Sequence, residues 1–157
     1  MLKKTVVLIV IVLLLFICFV ACSDNNSIWY EVKAFKSGYE CRNDWNLKCI
    51  ISSSEGIESI KEKYNNIDEL NGYDEAFFEE KSLLLYLFVR PHSGDNVSID
   101  SIQVMDNVIK LSFLYKEKKG VDYMDVEMYW ACIIEVNNED IINCNQIIVD
   151  NITKKTR

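Results

Sequence analysis

From Ser82 onward the chain is a succession of strand-length apolar runs, and this restricts its possible folds more than any other feature. Segments 83–90, 97–105, 108–115, 126–136 and 141–149 are rich in Leu, Ile, Val and aromatic residues and are separated by short polar stretches. Runs of this length bounded by turn residues read as β-strands. Asp106-Asn107 falls between two of them and predicts a two-residue hairpin, although the favoured glycine is missing. Asn137-Asn138-Glu139-Asp140 predicts a second turn, joining the last two strands as neighbours.

Upstream, 28–35 and 47–52 are also strand-like, and the period changes between 54 and 64. Ile57, Ile60 and Tyr64 recur at helical spacing and share one face. Ser52, Ser53 and Ser54 all offer N-caps, and Ser52 with Glu55 fits a capping box. Asn65-Asn66 would end this helix. Asp74 predicts the N-cap of a second short helix over 75–80, whose acidic start suits the helix dipole. The expected fold is α+β, one antiparallel-sheet-rich domain over residues 28–152 with one or two short helices. Residues 153–157 are expected to fray.

The first 22 residues read separately. Lys3 and Lys4 precede an almost unbroken apolar run from Val6, which ends Phe19-Val20-Ala21-Cys22 and is followed by polar Ser-Asp-Asn-Asn-Ser. A basic start, an apolar middle and a small residue before the cleavage point form an export signal. Cys22 in the first mature position predicts lipidation of its thiol, with residues 1–21 removed and 22–27 left as lipidated Cys and tether. The competing reading is an uncleaved membrane helix. Val6 to Cys22 is 17 residues, about 25 Å at the helical rise and short of the roughly 30 Å hydrocarbon core. With the basic residues on the N-terminal side, both readings put the domain outside the cytoplasm. Two acyl chains suffice for stable attachment where one is marginal. The expected location is the outer face of a bacterial cell membrane.

Charge narrows the partners. The chain carries 17 basic and 24 acidic residues, net −7, and loss of Lys3 and Lys4 with the signal leaves −9. Such a surface repels phosphate backbones, which argues against nucleic acid. It also disfavours docking on anionic lipid, so attachment falls to the lipid on Cys22. Cys41, Cys49, Cys132 and Cys144 remain in the mature chain, an even number suited to disulfides in an oxidising compartment, with three connectivities open. Pairing within each local loop is the simplest, 41 with 49 and 132 with 144; free thiols are the alternative. Zinc fits poorly, because no CxxC knuckle is present and His92 is the only imidazole.

Candidate catalytic groups all have plainer readings. His92 lies in Arg90-Pro91-His92-Ser93-Gly94-Asp95, where adjacent residues cannot point at one another in triad geometry and the composition is that of a turn. Asp74, Glu75, Glu79 and Glu80 cluster on one short helix, whereas paired carboxylates must face each other across a cleft. Asp95, Asn96 and Asp100 lack the calcium-loop pattern. Among the aromatics, Trp130 is expected to share one strand face with Cys132 and Ile134. Trp45, in the polar loop between Cys41 and Cys49, is the candidate for display as an interaction residue. No cofactor or metal is indicated.

Several stretches together resemble a known group. They are Tyr73-Asp74-Glu75-Ala76-Phe77-Phe78-Glu79-Glu80-Lys81-Ser82-Leu83, then Ser93-Gly94, segment 97–102, Val121-Asp122-Tyr123-Met124-Asp125, and Trp130 with Ile133-Ile134-Glu135-Val136. Over 73–149 this resembles exported lipoproteins of Gram-positive anaerobes related to the C-terminal domain of the PrcB protease-complex lipoprotein. The resemblance implies a compact β-rich domain with a non-catalytic role toward an extracellular protease. The family's Thr-Gly-Gly-Tyr loop is replaced by His92-Ser93-Gly94-Asp95, and no functional residue is carried over. The expectation is therefore a non-enzymatic, membrane-tethered binding or accessory module with a protein partner. The alternatives are a small-ligand sensor or envelope structural factor, and, behind these, an enzyme with a scattered site.

Overall fold

The structure, a computed structural model, describes residues 27–39, 44–64, 67–91, 96–118 and 127–156. Its elements are β1 (Tyr30–Ser37), β2 (Leu47–Ile51), α1 (Ser54–Lys63), α2 (Glu75–Glu80), β3 (Lys81–Pro91), β4 (Asn96–Met105), β5 (Val108–Lys118), β6 (Glu127–Asn137) and β7 (Gln146–Thr156). Short 3-10 turns cover Asp68–Leu70 and Asn138–Ile141. This is the expected α+β, sheet-rich domain, although the strands form two sheets. One has the order β1-β6-β3-β2 and is wholly antiparallel. The other has the order β4-β5-β7, with β4 antiparallel and β7 parallel to β5.

The apolar runs follow from three stacked layers. Along β3, Leu83, Leu85 and Leu87 point to the helices while Leu84 points to the second sheet. Along β6, Ala131 and Ile133 face the helices, and Cys132, Ile134 and Val136 face the second sheet. Side chains alternate along a strand. A strand covered on both sides must therefore be apolar at nearly every position. The helix-side core is completed by Ile57, Tyr64, Ile67, Leu70 and Phe78, and the inter-sheet core by Ile102, Ile109, Leu111, Phe113 and Tyr115. Trp130 joins Cys132 and Ile134 on the inter-sheet face, its ring 5.4 Å from Phe35 and stacked 6.0 Å from Phe88.

Local signals resolve as follows. Asp74 caps α2, its carboxylate accepting from the Phe77 N–H at 3.0 Å. Asp106 and Asn107 both take positive φ (51° and 63°), the left-handed pair a two-residue hairpin requires. The cap of α1 moves by one residue: Ser53, not Ser52, accepts from the Gly56 N–H at 3.1 Å. Glu55 therefore sits in the first turn and closes no box.

Two expectations are corrected. The 137–140 segment does not return the chain as a hairpin beside β6. A 3-10 turn carries it across to the other sheet, where β7 pairs with β5. Residues 153–156 do not fray either, since β7 continues to Thr156, pairing with Lys118.

Candidate functional site

Trp45 is not displayed. It is 1% exposed and packs among Tyr39, Tyr64 and Tyr129, with ring centroids at 5.1, 5.6 and 6.3 Å. Its indole N–H donates to the Trp130 carbonyl at 2.8 Å. Polar neighbours along the chain do not reveal this burial, because its aromatic partners Tyr64 and Tyr129 are distant in sequence. The side chain turns inward under α1, where Tyr64 donates to the Asp44 carbonyl and locks the loop down.

The cysteine pairing is corrected as well. Cys49, Cys132 and Cys144 carry free thiols, and Cys41 lies outside the described residues. A 132–144 staple presupposed a β6–β7 hairpin. With β7 in the other sheet, Cys132 stays mid-strand in the inter-sheet core while Cys144 follows the 3-10 turn at the sheet margin. Burial raises the Cys132 and Cys144 thiols above their ordinary range and pushes Cys49 up to about 11, so none is an activated nucleophile.

Cys49 and Cys144 nevertheless meet at one place. They line an open groove of 590 Å³ beside β2, at the margin where the two sheets meet. Lys48, Ile50 and Ser52 form its β2 side, and Phe78, Ile141 and Ile142 its apolar wall. Asn138 sets the floor: its side-chain oxygen accepts from the Ser82 hydroxyl at 2.6 Å, and its amide donates to the Phe78 carbonyl at 2.9 Å. That clip ties α2, the start of β3 and the 3-10 turn together, which makes the groove a preformed shape. Ile142 is 80% exposed. Among the described residues no acidic side chain lines the groove, although the chain has 24 acids, and Lys48 is the one charged group there.

A second polar cluster lies on the helix side of β6. Glu135, 5% exposed, accepts from Lys33 and Lys81, each at 3.2 Å, and from the Tyr73 hydroxyl at 3.3 Å. Lys81 also lies 4.8 Å from the Trp29 ring centroid. Every carboxylate oxygen here has a partner, so the cluster reads as a structural tie between β1, β3 and the loop before α2. Burial first, and then the Glu135 charge, raises the Tyr73 phenol to about 12.

The other sequence candidates do not converge. Asp74 is spent on its cap, and Glu75 is hydrogen-bonded to the Ser54 hydroxyl, linking the two helices. Glu79 and Glu80 border a separate 350 Å³ depression with Asn137, Asn138 and Glu139. Asp100 sits at the β4 bulge, while His92 and Asp95 lie outside the described residues. Among the described residues no group of three or more His, Cys, Asp or Glu is placed to hold a metal ion. Among the same residues no helix is long and apolar enough to cross a membrane, and Cys22 and the apolar run before it lie outside them.

Sequence reasoning missed both clusters. A lone Glu in Ile133-Ile134-Glu135-Val136 was a readable sign of a buried, partnered carboxylate. The groove had only the Ile141-Ile142 pair as a hint.

Fold and groove together define a three-layer sandwich, helices over a four-stranded sheet over a three-stranded sheet, with a polar-floored groove on one open edge. No protein-family model matches the chain, and no curated protein or solved structure is similar to it.

Proposed function

We propose that this chain is a membrane-tethered extracytoplasmic lipoprotein, lipidated on Cys22, that serves as a non-catalytic binding or accessory module for a protein partner. The observation that carries this reading is how soon folded structure begins after the candidate anchor. Ser27 bridges to Gln103 on β4, and the Ile28 N–H donates to the Ile102 carbonyl. Ser27 is five residues beyond Cys22. A lipid on Cys22 would thus grip the domain within about 17 Å of extended chain. A secreted protease is the partner that the resemblance of residues 73–149 to PrcB-related lipoproteins, read from the sequence alone, would imply.

Intact mass of the mature protein tests the anchor. The reading requires a chain beginning at Cys22 with added diacylglyceryl and acyl mass, lost in Cys22→Ala. A chain that retains residues 1–21, or carries no lipid, refutes it. Affinity purification of the native membrane protein should bring down a secreted protease in stoichiometric yield, and its absence refutes the partner assignment.

A further inference from the structure

We propose that the groove beside β2 takes up an extended, acidic-apolar segment of a protein partner as an added strand. We further infer that a lipid on Cys22 leaves this groove on the side of the domain turned away from the bilayer. The second part rests on the lipid reading above; the first does not.

β2 is an edge strand, and among the described residues nothing pairs with its outer side. Outward N–H and C=O groups on such an edge are a template for another strand. The shortness of β2 and the charge of Lys48 guard it against indiscriminate pairing. What distinguishes it from a bare edge is the groove alongside. Main-chain pairing supplies affinity in strand addition, and pockets for alternate side chains supply selectivity. Phe78, Ile141 and Ile142 offer an apolar wall for one set of those side chains, and the held Asn138 amide fixes its shape.

Charge selects the occupant. In a chain of net −7, or −9 without residues 1–21, the groove has one lysine and no acid among the described residues. A strand bearing acidic side chains meets Lys48 along β2, while Glu79, Glu80 and Glu139 border the neighbouring depression that shares Asn138.

The topology sets the direction. Ser27 and Ile28 lie on β4, one edge of the three-stranded sheet. β7 forms the opposite edge and lies against β2. The groove and the tether therefore occupy opposite margins of the sandwich. With only four residues between Cys22 and Ser27, the bilayer would sit on the β4 side, and a segment pairing with β2 would arrive from the aqueous side.

The groove's own thiols report its occupancy. The mature full-length protein is alkylated in the presence of a capped seven-residue peptide of alternating valine and glutamate, or its valine-lysine counterpart. Alkylation of each cysteine is followed by mass spectrometry. The glutamate peptide should protect Cys144 saturably, the lysine peptide should not, and buried Cys132 should stay unreactive throughout. Lys48→Glu, on an exposed side chain, should weaken the glutamate peptide about tenfold and leave unfolding unchanged. Equal protection by both peptides, none by either, or an unchanged affinity in Lys48→Glu overturns the strand-addition proposal. So does protection that depends on protein concentration and tracks a dimer in sedimentation, because the occupant is then a second copy. Phosphatidylcholine vesicles carrying the lipoprotein test the orientation: Cys144 should react with a membrane-impermeant reagent as fast as in detergent. Slower reaction on vesicles overturns the orientation alone, and a lipid-free mature mass overturns the anchor while the peptide results stand.

Discussion

Replacing Trp45 by Ala tests whether the loop after β1 is a folded part of the core. The side chain is 1% exposed, is surrounded by three tyrosines and supplies the hydrogen-bond donor to the Trp130 carbonyl. Truncating a core aromatic to Ala destabilises by about 3–5 kcal/mol. Loss of the indole hydrogen bond to the Trp130 carbonyl adds to this cost. At a urea dependence of about 1.5 kcal/mol per molar, the unfolding midpoint should fall by about 2–3 M with an unchanged slope. A domain of ordinary stability, about 5–15 kcal/mol, would be left marginal. Trp45→Phe separates the two contributions, since it keeps most of the ring and loses the donor; it should cost about 1–3 kcal/mol. A loss below about 1 kcal/mol in Trp45→Ala would refute the burial and return Trp45 to the surface.

Glu135→Leu removes the acceptor shared by Lys33, Lys81 and Tyr73. Both lysines reach solvent and can rehydrate, so the loss in thermal unfolding should be modest, about 1–3 kcal/mol; a gain in stability would show the cluster is not a tie. Asn107→Gly should stabilise the β4–β5 hairpin by about 0.5 kcal/mol, and Asp106→Val should destabilise it by about 1–2 kcal/mol, because both positions need positive φ. Denaturant midpoints that do not move in opposite directions would contradict the turn geometry. Stability should also fall in alkali. Burial, with smaller contributions from Glu135 at Tyr73 and from Tyr115 at Tyr86, holds both phenols at about 12 against 10.0, and burial holds Cys49 at about 11 against 9.0. The folded chain keeps protons the unfolded chain has lost, so this stability is complete below about pH 9 and drains as pH rises toward 12. A midpoint flat across that range, with all tyrosines titrating in one step centred near pH 10, would contradict the burial.

What could be read from the sequence was local. The helical period over Ile57, Ile60 and Tyr64, the Asp74 cap and the Asp106-Asn107 turn each depend on residues within one or two turns of chain, and the structure bears them out. Trp45 could not be read that way. Its environment is made by Tyr64 and Trp130, and polar neighbours in sequence say nothing about them. The 137–140 segment looked like a hairpin because its composition is that of any turn. Whether β7 returns to β6 or crosses to β5 is decided by the inter-sheet core, where Ile141 and Ile147 fill space against Ile109 and Leu111. The Cys132–Cys144 pairing failed with that choice of neighbour. The groove was illegible for the same reason, since it draws on β2, α2 and the turn before β7.

The strand order also bears on how the chain reaches this state. β1, β2, β3 and β6 make one sheet and β4, β5 and β7 the other, so the two sheets are interleaved along the sequence. The four-stranded sheet draws on both halves of the chain, and its strand β6 falls between β5 and β7, which pair in the other sheet. β7 closes the second sheet by parallel pairing with β5, a contact that cannot begin until the residues from Gln146 onward are present. Non-local pairings of this kind slow folding. The domain is thus expected to fold as one late, cooperative event, and a chain cut before Gln146 would leave one edge of β5 bare and the inter-sheet core open along it.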